Sequence, residues 1–460
     1  MRKRLKFVDA GSDIRTRLAG VAVEDLVEAL MELSIRHDDA DAMISRLISS
    51  KKDNFKRAKA KILGLRRQKN LVDWRSSRSF RSKLDEILAE IRDGAESPSD
   101  GITLLVEFFK SDKAIIEHCD DSDGFIGDIF RFSASDLFTE LASKCKDKKW
   151  ISEILAELHE DDTYSLRKYL LKQSAKFLPS GELRKLAELF MDRMNETKDD
   201  SQARQWAIGA INLAEQLNDP VMFEKASLKS CEGFKEIPDK NYLQIAEAYF
   251  KAGDCTTSLA WLNKIPKTEN YMAYDRNKLL FSIYKKTGDK EKMHEIALKS
   301  FRNHRSENNL KELLEAVGKP ERPRIIEEET GLIMNSACIS LTDADFLLKY
   351  GKADEAEEYL VGRADQINGD NYPSLLELSK KFEAENKFLA SSLIHRALIN
   401  SILKKAQSKY YVYAVRYLKK LDAIAEKITD CKKFPTQDTY KEELRKIHRL
   451  KSALWAKYGS

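Results

Sequence analysis

Residues 119–131 concentrate carboxylates around a glycine, a composition that suits either a divalent cation or the start of a helix. A calcium-binding EF-hand loop takes ligands from positions 1, 3, 5 and 12 and has glycine at position 6. With Gly124 at position 6, Cys119 and Phe130 occupy positions 1 and 12, so two essential oxygen ligands are missing. The run is therefore not an EF-hand. Its candidate docking or capping residues are Asp120, Asp121, Asp123, Gly124 and Asp128.

These aspartates leave two interpretations open. In the first, the chain makes a tight turn at Gly124, and the carboxylates cap a helix that begins near Phe125. In the second, the aspartates hold a divalent metal or dock a partner. The sequence favours the first interpretation, because it needs only contacts between near neighbours.

A second candidate is the basic stretch 51–83, which carries 13 Lys or Arg residues against two acids. Trp74 and Phe80 lie among its arginines, and cations mixed with aromatic rings suit a nucleic-acid backbone with stacked bases. The alternative is a solvated helix face with a core tryptophan, and the sequence favours this alternative. The candidate nucleic-acid contacts are Lys56, Arg57, Lys61, Arg66, Arg67, Arg75 and Arg78.

Other arrangements that could do chemistry are incomplete. The histidines at 37 and 159 lack the companion histidines of metal-dependent hydrolases. The Gly-Lys pairs at 318 and 351 are followed by Pro and Ala, so neither is a P-loop. We therefore predict no catalytic residue, no metal site and no cofactor, and we expect a protein that is not an enzyme.

Composition predicts an all-α protein. Of the 460 residues, 34% are charged and 42% are hydrophobic, whereas only 18 are Gly and 9 are Pro. The six cysteines form no C-x-x-C pair, and no apolar run approaches the roughly 20 residues that span a bilayer. We expect a cytoplasmic protein with reduced thiols and no membrane partner. Residues 1–92 and 404–460 carry net charges of +8 and +9, and residues 93–403 carry −12.

Apolar spacing predicts the first helices. One begins at Val23, and another covers 39–49 with four apolar side chains turned inward, namely Met43, Ile44, Leu47 and Ile48. A third begins near Asp53, which we expect to cap it. Further helices are predicted over Ser82–Arg92 and over Leu104–Ile116.

Beyond residue 135 the pattern repeats. An apolar helix ends in a turn residue and a second helix follows, at Gly253, Gly288, Gly351 and Asn386. The first two turn residues are 35 positions apart, as are the last two, and the pattern resembles degenerate tetratricopeptide repeats. The interval from 288 to 351 is irregular. An array of antiparallel helices without repeat symmetry is the alternative.

Several runs of the chain also resemble a family of uncharacterised bacterial proteins. One is the aspartate run at 119–131, and the others are 69–75 with Phe80, 395–403 followed by 409–410 and 416–421, and 451–455. The resemblance implies an α-helical, repeat-like bacterial protein. It implies no activity.

The predicted organisation has three parts: an N-terminal helical domain (1–134), a helical repeat array or α-solenoid (135–425) and a basic helical cap (426–460). The leading hypothesis is a non-enzymatic scaffold or adaptor whose array holds a protein partner. A nucleic-acid-binding protein that uses the basic ends is the alternative, and a metal-dependent enzyme at the aspartates is a more distant one. A homo-oligomer is compatible with each hypothesis.

Overall fold

The computed structural model describes residues 14–67, 71–266 and 272–459, apart from the side chains of residues 38 and 39. Twenty-five α-helices lie wholly within these ranges. The same ranges contain no β-strand, only an isolated bridge between Val72 and Cys119. The predicted all-α class is confirmed.

Contacts divide the chain into two compact units, Met1–Pro266 and Lys267–Ser460. In unit 1 the α-helices are α1 (Val23–Arg36), α2 (Asp38–Ile48), α3 (Lys51–Arg66), α4 (Ser77–Gly94), α5 (Pro98–Phe109), α6 (Asp112–Ile116), α7 (Ser135–Lys144), α8 (Lys148–Glu160), α9 (Lys168–Lys172), α10 (Ser180–Glu196), α11 (Asp200–Leu217), α12 (Pro220–Ser230), α13 (Asp239–Ala252) and α14 (Cys255–Leu262). A π-helical turn, Ile129–Ala134, leads directly into α7.

Unit 2 is also helical throughout its described residues. Its α-helices are α15 (Ala273–Thr287), α16 (Lys290–Asn303), α17 (Glu307–Val317), α18 (Arg322–Met334), α19 (Leu341–Lys349), α20 (Ala353–Gly362), α21 (Tyr372–Ala384), α22 (Phe388–Lys405), α23 (Tyr411–Ala425), α24 (Gln437–Ile447) and α25 (Ser452–Gly459). In both units, most long helices pack against the helix that precedes or follows them in the chain.

The compact units do not coincide with the predicted domains. One apolar core cluster runs from Ala58 to Ala226 and crosses the predicted boundary at 134 without a gap. A second cluster runs from Phe281 to Leu454 and crosses the predicted boundary at 425. Whether residues 1–134 or 426–460 fold as separate domains stays a prediction.

Local contacts change three of the predicted helix limits. Ser50, not Asp53, is the N-cap of α3, because the Ser50 side chain accepts the Asp53 backbone N–H. Helix α4 begins at Ser77, five residues before the predicted start. The predicted helix Leu104–Ile116 is two helices, and the break falls at 110–111, where the Ser111 hydroxyl donates to the Phe108 carbonyl.

The four predicted turn residues have left-handed backbone, with φ between 57° and 96°. At Gly253 and Gly288 the following aspartate caps the next helix: Asp254 accepts the Thr257 N–H and Asp289 accepts the Lys292 N–H. No side-chain cap follows Gly351 or Asn386. In each case the helices on either side of the turn pack together. The irregular interval from 288 to 351 holds four α-helices, α16 to α19.

A buried ion pair ties the first helices of unit 1 to the later ones. Arg167 donates from Nε and Nη2 to the two carboxylate oxygens of Asp112 at 2.8 and 2.7 Å. It also donates to the backbone carbonyls of Phe109, at the end of α5, and Leu158, in α8. Both charged side chains are only 3% exposed. The network therefore joins residues on both sides of position 134.

We expect Arg167→Leu to destabilise the protein by about 3–5 kcal/mol, because it leaves the Asp112 charge buried without a partner. The double variant Arg167→Leu, Asp112→Leu should be more stable than this single variant, since it removes both charges. Urea unfolding of the full chain measures both free energies. Arg184→Leu, which breaks a more exposed pair with Asp219, is the control and should cost about 1 kcal/mol or less. Equal losses at Arg167 and Arg184 would contradict this account.

A second buried polar group is His159, at the end of α8. Its Nε2 donates to the Gln205 carbonyl at 2.9 Å, and its ring packs against Phe190 and Trp206. Gly209 makes room for this packing, since a Cβ there would lie 2.7 Å from His159 Nε2. Burial lowers the pKa of His159 to about 4.

Acid should therefore destabilise unit 1. Above the ordinary histidine pKa of 6.5 the ring is neutral in both states, and the stability is fully present. As the pH falls from there to about 4, only the unfolded state binds the proton, and about 3 kcal/mol is lost. His159→Gln should reduce the loss in unfolding free energy between pH 7 and pH 4 by this amount. The exposed-site control His294→Gln should keep the wild-type loss; identical losses in all three proteins would refute the prediction.

Candidate interaction site in unit 1

The structure brings the aspartate run and part of the basic stretch side by side. The Val72 N–H donates to the His118 carbonyl at 2.8 Å, and the Asp120 N–H donates to the Val72 carbonyl at 2.9 Å. We call residues 71–81 and 118–131 together the motif junction. Sequence reasoning treated its two halves as separate candidates, because nothing in either half signals a contact across 46 intervening positions.

Asp121 organises the second half of the motif junction. Its two carboxylate oxygens accept the backbone N–H groups of Ile126 and Gly127 at 2.8 and 2.9 Å. Gly124 makes the turn between them with φ of +71°. A Cβ at Gly127 would lie only 3.0 Å from Asp121 Oδ2, so glycine lets the carboxylate approach. The helical segment that follows begins at Gly127, two residues after the predicted start near Phe125, and continues as the π-helical turn from Ile129.

The other aspartates have partners of their own or face solvent. The Ser122 hydroxyl and N–H donate to Asp120, and the hydroxyl contact lowers the pKa of that carboxyl. Asp128 pairs with Arg131 at 3.3 Å, and Asp123 is exposed. Within residues 14–67, 71–266 and 272–459, no three His, Cys, Asp or Glu side chains converge where they could hold a metal ion.

The first half of the motif junction presents aromatic and cationic groups. Trp74 is 61% exposed, and the Arg75 guanidinium lies 5.2 Å from its ring centroid. The Phe125 ring of the other half is flanked by Arg78 and Arg81 at 6.0 and 5.7 Å. Trp74 is therefore not the core residue that the alternative for the basic stretch assumed.

Three of the seven candidate nucleic-acid contacts are paired inside the fold. Lys61 lies 3.0 Å from Glu90, whose side chain is buried, and Arg57 lies 3.7 Å from the same carboxylate. Arg66 lies 2.8 Å from Glu107. Each of these pairs joins α3 to another helix, α4 or α5, so these cations already have a structural role.

The remaining four candidates divide into two kinds. Arg75 and Arg78 lie against aromatic rings of the motif junction. Lys56 and Arg67 are exposed and make no ion pair with any residue that the structure describes. The basic stretch is thus not one continuous cationic surface.

A protein-family model matches residues 16–228 and 236–457 of the chain, which include the motif junction and the helix pairs of both units. The chain belongs to DUF6880, a family of unknown function. No curated protein matches this DUF6880 chain.

One solved structure is described as a circular tandem repeat protein with novel repeat topology and enhanced subunit contact surfaces. It is 12% identical to the DUF6880 chain over 91% of this chain and 90% of its own, with a TM-score of 0.14. At that score the two backbones do not superpose as whole molecules.

The DUF6880 chain also exposes an apolar face on helix α1. Helix α1 has no buried residue, and on one face its side chains recur every four positions: Val23, Val27, Met31 and Ile35. These four, which we call the α1 stripe, are between 52% and 84% exposed. In α2, Met43 and Ile44 are half-buried, but Leu47 and Ile48 are exposed, so their predicted inward position is wrong.

A groove of about 370 Å³ lies beside the π-helical turn, lined among others by Asp85, Asp136 and Glu140. Its carboxylates already have partners in the fold: Arg81 for Asp85, Gln173 for Asp136 and Lys144 for Glu140. Burial raises the pKa of Asp85, and the nearby Arg81 charge opposes that shift. No described helix of the DUF6880 chain has the length and apolar character needed to cross a bilayer.

We expect Asp121→Ala to destabilise the motif junction by about 1–3 kcal/mol, because two backbone N–H groups lose their acceptor. Hydrogen exchange at Ile126 and Gly127 should accelerate, and the urea midpoint of the full chain should fall. Asp123→Ala removes an exposed carboxylate from the same turn and should change the unfolding free energy by less than about 0.5 kcal/mol. If both variants instead released a tightly bound metal, the metal-site interpretation would replace the capping one.

Proposed function

We propose that this chain is a non-enzymatic helical scaffold that binds a protein partner through the α1 stripe. The observation that carries the proposal is the exposure of four large apolar side chains on one face of a single helix. An isolated 14-residue helix is marginal in water, and most helices gain their stability by packing an apolar face. In α1 the apolar face is exposed, and another molecule would stabilise the helix by covering it.

The free energy gained by burying the α1 stripe is large enough to support binding of a partner. Full burial of a fully exposed Val, Met or Ile side chain is worth about 1.5–3 kcal/mol. Since the four side chains are between 52% and 84% exposed, the α1 stripe offers about 4–8 kcal/mol before the cost of association. Leu47 and Ile48, at the C-terminal end of α2, add further exposed apolar surface. Contiguous apolar patches of this kind are uncommon on monomeric proteins and mark interaction sites.

The negative charge of residues 23–48 favours a basic partner. Residues 23–48 carry seven acidic and two basic side chains, a net charge of −5. Arg36 pairs with Glu32 and Arg46 pairs with Asp93, so both cations of this segment already have a carboxylate partner. A second copy would bring another −5 to the same interface. A basic amphipathic helix of a different protein fits both the apolar face and its acidic surround.

The surrounding architecture suits this role. Helices that pack against their neighbours in sequence give a stiff framework, and helical arrays of this kind commonly hold protein segments. Trp74 and Arg75 of the motif junction are residue types that often dominate binding energy, and we propose them as a secondary contact. The bacterial origin and cytoplasmic location expected from the sequence, and the tetratricopeptide character of the repeats, stay predictions.

The test is photo-crosslinking in the native host, with the crosslinker placed in turn at Val27, Met31 and Ala29. We expect one protein, with a basic amphipathic segment, to crosslink from the two stripe positions and not from Ala29 on the polar face. The purified partner should bind the full chain, and Val27→Asp with Met31→Asp should weaken binding at least about ten-fold, since it buries two charges.

The matched control is Ala29→Asp with Arg36→Gln, which changes the net charge by the same amount away from the stripe. It should bind like the wild type. Circular dichroism should show the same helical signal in all three proteins. Crosslinks only between copies of the chain would replace the proposal with self-association, and equal weakening by the control would show that charge alone, not the stripe, governs binding.

A further inference from the structure

Residues 404–420 of unit 2 carry six Lys or Arg side chains and no Asp or Glu, together with four tyrosines. The structure separates the tyrosines by burial. Tyr411 and Tyr417 lie in the core of unit 2, whereas Tyr410 and Tyr413 are 42% and 48% exposed. Tyr410 and Tyr413 therefore contribute less to the core than Tyr411 and Tyr417 do.

The two exposed rings lie close together. Tyr410 and Tyr413 have ring centroids 6.5 Å apart and an interplanar angle of 37°. Two accessible rings are thus gathered at the N-terminal part of α23.

Cations surround these rings, and some of them are unpaired. Lys405 lies 2.8 Å from Asp370, and Lys420 lies 2.6 Å from Glu383, so these two are neutralised within the fold. Lys404, Lys409 and Arg416 are exposed and form no ion pair among the residues that the structure describes. Lys409 Nζ lies 4.9 Å from the Tyr410 ring centroid, and Arg416 follows Tyr413 by three positions on α23.

We propose that this tyrosine–cation surface, formed by Tyr410, Tyr413, Lys404, Lys409 and Arg416, binds single-stranded nucleic acid. Unpaired cations release counterions from the phosphates that they neutralise, and exposed rings stack with unpaired bases. The five side chains include no Asp, Glu, Asn or Gln that could read base edges as acceptors or paired amides. Binding should therefore tolerate many sequences.

The proposal goes beyond the protein partner and rests on a different unit. In the basic stretch of unit 1, three of the seven candidate cations pair with internal glutamates. At 404–420, four of the six cations are exposed and form no ion pair among the described residues, namely Lys404, Lys409, Arg416 and Lys419. An acidic protein segment could use the same cations, but it would gain little from the exposed rings. The contribution of the rings therefore distinguishes the two occupants.

The experiment measures fluorescence anisotropy of labelled 12-mers with the full chain, using oligouridylate, oligodeoxythymidylate and a duplex of equal length. We expect both single strands to bind at least about ten-fold more tightly than the duplex, whose bases cannot stack on the rings. Tyr410→Ala with Tyr413→Ala should weaken single-strand binding by about ten-fold or more, and the corresponding Phe pair should restore it. Lys409→Glu with Arg416→Glu should lower the slope of log affinity against log salt by about 1.4.

The matched control is Lys290→Glu with Lys299→Glu, which reverses two exposed charges on α16 of the same unit. It should bind nearly as the wild type does. The proposal is overturned if the wild type does not bind single strands at 50 mM salt, or if the control loses as much affinity as the surface variant. It is also overturned if the tyrosine pair has no effect, or if polyglutamate binds more tightly than either strand. None of these outcomes bears on the α1 stripe.

Discussion

The Arg167–Asp112 ion pair is the interaction on which the architecture of unit 1 depends. Two charges that are almost fully withdrawn from water are tolerated only when every donor and acceptor finds a partner. Arg167 meets that condition by reaching the Asp112 carboxylate and two helix-terminal or helical carbonyls at once. Helices α5, α6 and α8 must therefore keep one relative arrangement. The continuous apolar core from Ala58 to Ala226 is the packing that this arrangement allows.

Much of the high charge content of this protein is used in the same way, inside the fold. Glu90 is buried between helices α3 and α4 and takes Lys61 and Arg57 as its partners. In unit 2, the buried Glu329 takes Arg302 and Arg305, and Arg305 also reaches Asp343. A run of cations in such a chain is therefore weak evidence of a charged partner. The informative cations are those that the fold leaves without a carboxylate.

The exposed groups on which the two proposals rest differ in chemical kind. In unit 1 they are the apolar side chains of the α1 stripe, within the acidic segment 23–48; in unit 2 they are tyrosines and unpaired cations. The motif junction shows the opposite outcome for residues that looked functional. Asp121, which resembled a metal ligand, satisfies two backbone N–H groups of its own turn. Both oxygens of its carboxylate are occupied by these local hydrogen bonds, and the neighbouring Trp74 is the residue that stays accessible.

The sequence by itself determined the features that depend on contacts over a few residues. These are the helical class, the left-handed turns at Gly253 and Gly288 with their aspartate caps, and the turn at Gly124. Tertiary structure alone decided which groups meet and which stay exposed. Lys61 and Glu90 are 29 positions apart, and Arg167 and Asp112 are 55 positions apart. No local sequence pattern predicts either pair. The spacing of Val23, Val27 and Met31 predicts an amphipathic helix, but periodicity does not reveal whether the chain supplies a surface to cover its apolar face.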